Sequence, residues 1–115
     1  MKNIKQGDIF WVNLGPIRGY EQAGMRPAIV IQCNPLNRDL KTILLIPLTT
    51  NLAVRGLMTT HFLPKEKTKL KKDSIALLYQ IQAVDRRKLQ KKIGNIPKND
   101  YFKIRFKLIQ NIWSA

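Results

Sequence analysis

Short apolar segments alternate with loop-forming residues through most of this 115-residue chain, and their lengths limit the folds open to it. Each segment is as long as a β-strand and too short for a core helix. We predict strands over residues 8–14, 28–33, 42–50, 59–63, 73–81 and 93–96, with a turn-rich loop over 34–39. Both sides of the first segment are apolar, so we expect that strand to be covered on both faces.

Helical periodicity is clear only near the C-terminus. Phe102, Phe106, Ile109 and Trp113 recur at intervals of four, three and four residues, the spacing of one helix face. We expect this apolar stripe to pack against the core. A shorter helix is predicted after Asp85, which is a suitable N-cap residue.

These patterns favour a mainly β fold of the α+β class, a small β-barrel with short helices and a C-terminal helix. No linker-like tract divides the chain, so we expect residues 1–115 to form one domain. The N-terminus lacks the apolar run of a signal peptide and no segment has the length of a membrane span, so we expect no membrane partner. Cys33 is the only cysteine, which fits a reducing cytoplasm, and we expect it to be buried in the second strand.

The strongest compositional bias is positive charge. The chain has 21 lysines and arginines against seven acidic residues, a net charge of +14. Residues 65–115 hold 14 of the basic residues and four of the acidic ones. Self-repulsion makes such an excess costly unless the partner is a polyanion, so nucleic acid is the favoured partner. A solvated basic surface and an acidic protein partner are the alternatives.

Three residues suggest a chemical function. Glu21 and Arg26 lie in the loop between the first two predicted strands, and Thr49 lies at the end of the third. Cleavage of RNA through its 2′-hydroxyl needs a base, a cation to stabilise the phosphorane, and an acid for the leaving oxygen. A carboxylate and a guanidinium suit the first two roles, and a threonine hydroxyl can donate to a phosphate oxygen. Spacing alone leaves open a Glu21–Arg26 surface salt bridge and a turn-forming role for Thr49.

Residues suited to a metal site are scarce. One histidine, His61, one cysteine and seven scattered acids predict no metal centre. The sequence also has no glycine-rich phosphate loop, helix-turn-helix or zinc-finger pattern. We therefore expect no cofactor.

Three segments carry longer motifs: Gly7–Ile31, Ile46–Thr50 and Asp73–Asp85. In order and spacing they resemble the MazF/PemK family of toxin endoribonucleases. The resemblance implies an SH3-like or plasmid-toxin β-barrel assembled as a homodimer. It also implies ribosome-independent, sequence-specific cleavage of single-stranded RNA, mainly mRNA, to 2′,3′-cyclic phosphate and 5′-hydroxyl ends. A cognate antitoxin with an acidic, disordered C-terminus would be the protein partner.

The resemblance also implies roles for individual residues. Arg26 matches the family's catalytic arginine, Thr49 its catalytic hydroxyl residue, and Glu21 a carboxylate proposed as the base in some members. We expect RNA contacts from Tyr20, Gln22, Thr50, Arg55 and Gln80. Tyr20 stands where many members have a small residue, and a phenol there would either stack on a base or shield the loop.

Two basic clusters could extend the RNA-binding surface beyond these residues. The first comprises Lys65, Lys67, Lys69, Lys71 and Lys72, and the second comprises Arg86, Arg87, Lys91 and Lys92. Solvated, lysine-rich loops are the alternative for either cluster.

Two other functions would keep the fold without the nuclease activity. The chain could be a toxin that poisons DNA gyrase by binding, or a catalytically silent nucleic-acid-binding module. Convergence of Glu21, Arg26 and Thr49 on one groove would favour the enzyme. Scattered positions, together with an exposed apolar C-terminal face, would favour gyrase binding.

Overall fold

A computed structural model of the chain describes residues 3–16 and 24–112. Seven antiparallel strands lie within these residues: β1 (Asp8–Asn13), β2 (Met25–Val30), β3 (Thr42–Thr49), β4 (Thr60–Leu63), β5 (Ser74–Leu77), β6 (Gln82–Asp85) and β7 (Leu89–Asn95). The helices there are α1 (Asn34–Asp39) and α2 (Lys98–Ile112). Short 3-10 turns occupy Leu52–Val54, Lys65–Lys67, Leu78–Gln80 and Arg86–Lys88. None of the helices in the described ranges is long and apolar enough to cross a membrane.

Strand β3 joins two parts of the sheet. The strand order is β4-β5-β3-β2-β1-β7, and β6 also pairs with β3. The first half of β3 pairs with β6, and its end, at Leu48 and Thr49, pairs with β5. Strand β2 lies along the opposite edge of β3. Because β2 and β3 are antiparallel, the end of β3 lies beside the beginning of β2.

The central strands are buried on both faces. Ile9 and Ile29 pack in one core cluster with Ile104 of α2, whereas Phe10 and Val12 pack in a second cluster. Successive side chains of a strand point to opposite faces, which explains the division of β1 between the clusters. The expectation that both faces of the first strand are covered holds at Ile9, Phe10 and Val12, but Trp11 and Asn13 are exposed.

Helix α2 packs through a different face from the one we expected. Ile104 is fully buried, and Tyr101 and Leu108 pack beside it against the core. The stripe that we predicted to be buried is largely exposed instead: Phe102 57%, Phe106 62% and Ile109 54%. We call these three residues the α2 stripe; Trp113, the fourth member of the predicted stripe, lies outside the described residues. Both sets satisfy the helical period, so periodicity could not decide which set faces the core.

Several local predictions need correction. Cys33 is exposed, because β2 ends at Val30 and Cys33 lies in the connection to α1. Helix α1 forms where we predicted a turn-rich loop, and Pro35 lies in its first turn, where proline's missing N–H does no harm. The strand predicted over 73–81 is shorter, since a 3-10 turn follows β5. The capping role of Asp85 is confirmed, because its carboxylate accepts a hydrogen bond from the backbone N–H of Arg87 at 2.9 Å.

The lysine-rich segment 65–72, which we call the lysine loop, is fastened to the sheet. Thr68 is fully buried, and its hydroxyl oxygen accepts a hydrogen bond from the backbone N–H of Leu70 at 3.2 Å. Leu70 itself packs in the core. Gly94 of β7 lies so close to the Thr68 carbonyl that a side chain at Gly94 would collide with it. The loop backbone is therefore anchored between two buried positions and β7.

Candidate active site

A surface pocket of about 240 Å³ lies where β2 begins and β3 ends. Arg26 and Thr49, two of the three residues assigned catalytic roles from sequence, both line it, and so does Thr50. The other lining residues are Trp11, Gly24, Met25, Pro27, Leu48 and Ser74. We call this the Arg26–Thr49 pocket. It brings together a guanidinium and two threonine hydroxyls from segments more than twenty residues apart.

Strand pairing explains this convergence. Ala28 pairs with Pro47 and Ile29 with Ile46, so the same register continued to the start of β2 sets Arg26 opposite Thr49. We expected Arg26 in a loop, but β2 begins at Met25 and Arg26 is paired with Val12 of β1. A strand holds its backbone more rigidly than a loop does, so sheet geometry fixes the position from which the Arg26 side chain extends.

The Thr49 hydroxyl is suited to donate a hydrogen bond. Its oxygen accepts a bond from the backbone N–H of Asn51 at 3.2 Å, which orients the side chain. A hydroxyl that accepts a hydrogen bond can still donate its own proton, for example to a phosphate oxygen.

Ser74 and Trp11 line the pocket although the sequence did not single them out. Ser74 is buried, and its hydroxyl donates to the Lys72 carbonyl at 3.1 Å. Trp11 is 39% exposed and pairs with Pro27 across β1 and β2. The sequence did not predict that this indole would be exposed, because Trp11 lies in an apolar strand whose other residues are mostly buried.

A second pocket of about 310 Å³ adjoins the first and is lined by the lysine loop. It shares four residues with the Arg26–Thr49 pocket: Trp11, Pro27, Thr50 and Ser74. Its remaining lining residues are Lys69, Leu70, Lys71, Lys72 and Ile93. We call it the lysine pocket. Part of the first basic cluster therefore borders the candidate active site.

The second basic cluster lies elsewhere and is partly engaged in internal contacts. The Arg86 guanidinium donates to the carbonyls of Leu40 at 2.9 Å and Asn37 at 2.8 Å. Arg87 donates to the Asp85 carboxylate at 2.8 Å, and this hydrogen bond holds the pKa of Asp85 at about 2. These two arginines line a separate cavity of about 380 Å³ with Lys41 and Asp85.

Two of the remaining predicted RNA contacts, Arg55 and Gln80, lie in the described ranges, and neither lines the Arg26–Thr49 pocket. The guanidinium of Arg55 stacks over Phe62, 3.7 Å from the ring centroid, and borders a different pocket. Gln80 lies in the 3-10 turn after β5 and does not line the Arg26–Thr49 pocket. Tyr20, Glu21 and Gln22 lie outside the described residues, so their roles stay predictions.

His61 belongs to a buried polar network that fastens α2 to β4. Its Nε2 lies 2.9 Å from an Asp100 carboxylate oxygen, and Lys107 Nζ lies 3.2 Å from its Nδ1. Lys107 also donates to the Thr60 carbonyl at 3.0 Å. An ammonium can only donate, so Nδ1 accepts and the neutral ring carries its proton on Nε2, which donates to Asp100.

Burial sets the protonation preference of this network. Burial lowers the pKa of His61 below its ordinary value of 6.5, although the hydrogen bond to Asp100 opposes that shift. Burial also lowers the pKa of Lys107, and repulsion from Lys103 adds to the effect. The network lies apart from the Arg26–Thr49 pocket and supports the packing of α2. Within the described ranges, no group of three or more His, Cys, Asp or Glu side chains is arranged to hold a metal ion.

Sequence comparison gives a family match over residues 5–112, to the family described as PemK-like, MazF-like toxin of type II toxin–antitoxin system. The chain is also 34% identical over 90 residues to Endoribonuclease MazF of Staphylococcus epidermidis. That alignment covers 78% of this chain and 75% of the relative.

Structural comparison gives the same fold at lower sequence identity. MazF (Form-I) from Deinococcus radiodurans superposes with a TM-score of 0.82 at 23% identity, covering 97% of this chain and 98% of that one. An endoribonuclease in complex with its cognate antitoxin, from a mycobacterial species, superposes with a TM-score of 0.79 at 19% identity, covering 97% of both chains. The predicted mainly β barrel with a C-terminal helix is confirmed.

Proposed function

The chain belongs to the PemK-like, MazF-like toxin family of type II toxin–antitoxin systems, and from this premise we propose that it is an endoribonuclease that cleaves single-stranded RNA at the Arg26–Thr49 pocket. The proposal rests on one observation. Arg26 and Thr49 line the same pocket, and the lysine pocket adjoins it. The 34% identity to an endoribonuclease supports the reaction class.

The proposed chemistry uses the neighbouring 2′-hydroxyl of the RNA. Its oxygen attacks phosphorus, the bond from phosphorus to the 5′-oxygen breaks, and the products are a 2′,3′-cyclic phosphate and a 5′-hydroxyl. Glu21 accepts the proton of the 2′-hydroxyl. Arg26 stabilises the negative charge on the phosphorane and supplies a proton to the leaving oxygen. Thr49 donates to a phosphate oxygen and orients the scissile group.

In this scheme the guanidinium supplies the charge stabilisation that a metal ion would otherwise provide, so we propose that the reaction needs no metal. The test is cleavage of a single-stranded mRNA transcript in excess EDTA, with sequencing and end-group analysis of the products. We expect cutting at a defined sequence, with cyclic phosphate and 5′-hydroxyl ends. A transcript with a single 2′-deoxy nucleotide at the cut site should resist cleavage at that site alone. Cleavage there at the normal rate would contradict the mechanism.

We also propose the assembly and setting of the protein. The whole chain, 1–115, acts as one cytoplasmic toxin domain and inhibits growth by destroying mRNA. The α2 stripe supplies the apolar contact of a homodimer, since exposed patches of this kind are typical of protein interfaces. An antitoxin with an acidic segment is the protein partner; family members have been crystallised as MazE–MazF complexes, and the +14 charge suits such a segment.

One observation favours the gyrase-poisoning alternative. The α2 stripe is exposed, as we expected for a toxin that acts by binding gyrase. Arg26 and Thr49 converge rather than scatter, however, which favours the enzyme. A purified chain that inhibits DNA supercoiling by gyrase and leaves RNA intact would establish the alternative. Retardation of RNA without cleavage and without gyrase inhibition would establish a silent binding module.

A further inference from the structure

Trp11 is exposed to solvent, whereas the residues on either side of it in β1 are buried. Phe10 and Val12, on either side in β1, are 2% and 0% exposed, whereas Trp11 is 39% exposed. Trp11 also borders both the Arg26–Thr49 pocket and the lysine pocket. An aromatic side chain at the junction of two pockets is a surface on which a flat ligand can stack.

The lysine pocket combines apolar walls with a basic rim. Pro27, Leu70 and Ile93 line it beside Trp11, and Lys69, Lys71 and Lys72 supply its charged groups. The backbone that carries the lysines is held in place because the buried residues Thr68 and Leu70 anchor the loop. A loop backbone that is ordered before binding loses less entropy when a ligand binds.

This combination matches one nucleotide of a single strand. A base has a flat apolar face, and its phosphate is an anion that lysine ammoniums attract. The volume of about 310 Å³ lies near the lower limit of ligand pockets, roughly 300 Å³, and so suits one base rather than several. Because four residues belong to both pockets, a base in the lysine pocket would be adjacent to a phosphate beside Arg26 and Thr49.

We propose that the lysine pocket is a base-stacking subsite, in which a nucleotide next to the cleaved bond stacks on Trp11 while Lys71 and Lys72 hold its phosphate. The inference rests on the proposed function and extends it. Continuity with the Arg26–Thr49 pocket favours RNA over an apolar peptide segment as the occupant. Stacking on an aromatic ring tolerates every base, so the subsite contributes affinity rather than sequence choice.

Tryptophan fluorescence provides a direct test. The chain has two tryptophans, so a Trp113→Phe background leaves Trp11 as the only one. The probes are 2′-O-methylated homopolymers of A, U and C, about 12 nucleotides long, which is within the range of single-strand sites. These strands bind but cannot be cleaved through the 2′-position. We expect each homopolymer to quench Trp11 emission in a saturable manner; unchanged emission at saturation would overturn the proposal.

Substitution of the indole should lower affinity. Trp11→Leu should weaken homopolymer binding by about 5- to 150-fold, whereas Trp11→Phe should retain most of it. Tyr79→Leu is the matched control, because Tyr79 is 53% exposed and lines neither pocket. With cleavable RNA, Trp11→Leu should raise KM while kcat changes by less than about threefold. If Trp11→Leu fails to fold, the quenching of Trp11 in the Trp113→Phe protein still decides the matter.

Lys71 and Lys72 should contribute to RNA affinity separately from Trp11, through the phosphate. The Lys71→Gln, Lys72→Gln double variant should reduce the slope of log affinity against log salt by about 0.7 for each phosphate that the protein no longer neutralises. The control double variant is Lys5→Gln, Lys98→Gln, which changes two exposed lysines outside the lysine pocket and outside both basic clusters. Equal slopes in the two double variants would contradict the phosphate role of Lys71 and Lys72.

The outcomes distinguish this inference from the proposed function. If Trp11→Leu binds homopolymers as tightly as the parent protein while RNA is still cleaved, the subsite is wrong and the nuclease stands. If Trp11→Leu weakens binding but the parent protein cleaves no RNA, the subsite stands and the nuclease proposal fails. If only a peptide from a protein partner quenches Trp11, the pocket serves a protein and the subsite is wrong.

Discussion

Arg26 and Thr49 meet because an antiparallel register joins the start of β2 to the end of β3. Neither residue needs a long loop to reach the pocket, so their separation is set by sheet geometry. Trp11 is positioned in the same way, by its pairing with Pro27. Arg26 and Thr49 were singled out as catalytic candidates by their chemistry and by family resemblance, whereas Trp11 was not singled out for function. Whether an indole in an apolar strand is exposed depends on which residues from other segments pack against it. The residues next to it in sequence do not determine this.

Replacing Arg26 with alanine should nearly abolish RNA cleavage. Removal of a single transition-state donor typically costs about 100- to 1000-fold in kcat, and Arg26 is the guanidinium that lines this pocket. The measurement is initial cleavage rate on the same transcript in EDTA, with circular dichroism to verify folding. Arg38→Ala is the control, since Arg38 is an exposed arginine of α1 outside the pocket. A folded Arg26→Ala protein that cuts at the parental rate would contradict the catalytic role.

Helix α2 illustrates how an element can be predicted correctly and oriented wrongly. Its apolar residues define two helical stripes, and only the one through Ile104 meets the core. The polar network of His61, Asp100 and Lys107 ties α2 to β4 in the orientation that buries this stripe. Asp100 and His61 are 39 residues apart, and no local pattern links them. The helix was therefore predictable, and its docking was not.

The His61 network makes stability depend on pH. The pKa of His61 is lowered by burial, so between its folded and unfolded values the unfolded chain binds more protons. The stabilisation is complete above the unfolded value of 6.5 and is lost as pH falls below 6.5 and through the lower folded value. We expect the free energy of unfolding in urea to decrease from about pH 7.5 to about pH 5.5, by at most about 1.4 kcal/mol per pH unit from one group.

A His61→Gln variant is the control for this pH dependence. Glutamine can donate to Asp100 and accept from Lys107, but it does not titrate. Because His61 is the only histidine, the variant should lose most of the decrease over this range. An equal decrease in parent and variant would assign the effect to groups other than His61.

The whole molecule is strongly basic, but its basic residues do not act alike. Lysines of the lysine loop border the candidate active site, whereas Arg86 and Arg87 are held by internal acceptors. The α2 stripe adds an exposed apolar face to this charged surface. An apolar stripe on an otherwise charged molecule is suited to contact a second copy of the chain.

Replacing Phe106 with glutamate should weaken the proposed homodimer. Phe106 is 62% exposed in the single chain, and a buried aromatic at an interface often contributes about 2 kcal/mol or more, roughly a 30-fold change in dimer affinity. Sedimentation velocity over a concentration series measures the shift toward monomer. Gln110→Glu is the control, because it introduces the same charge on α2 outside the stripe. A parent protein that sediments as a monomer at all concentrations would contradict the assignment of the stripe.

The sequence by itself determined the kind and approximate number of elements, the basic character and, through family resemblance, Arg26 and Thr49 as the residues to consider. These features follow from periodicity, composition and short motifs, all of which are local. Tertiary structure alone decided which face of α2 is buried, which lysines border the candidate active site and that the indole of Trp11 is exposed. Each of these features depends on contacts between distant segments. The helical period allows either of two stripes to be buried, and the number of charged residues does not say where they lie in the fold. Packing and strand register supply that missing information.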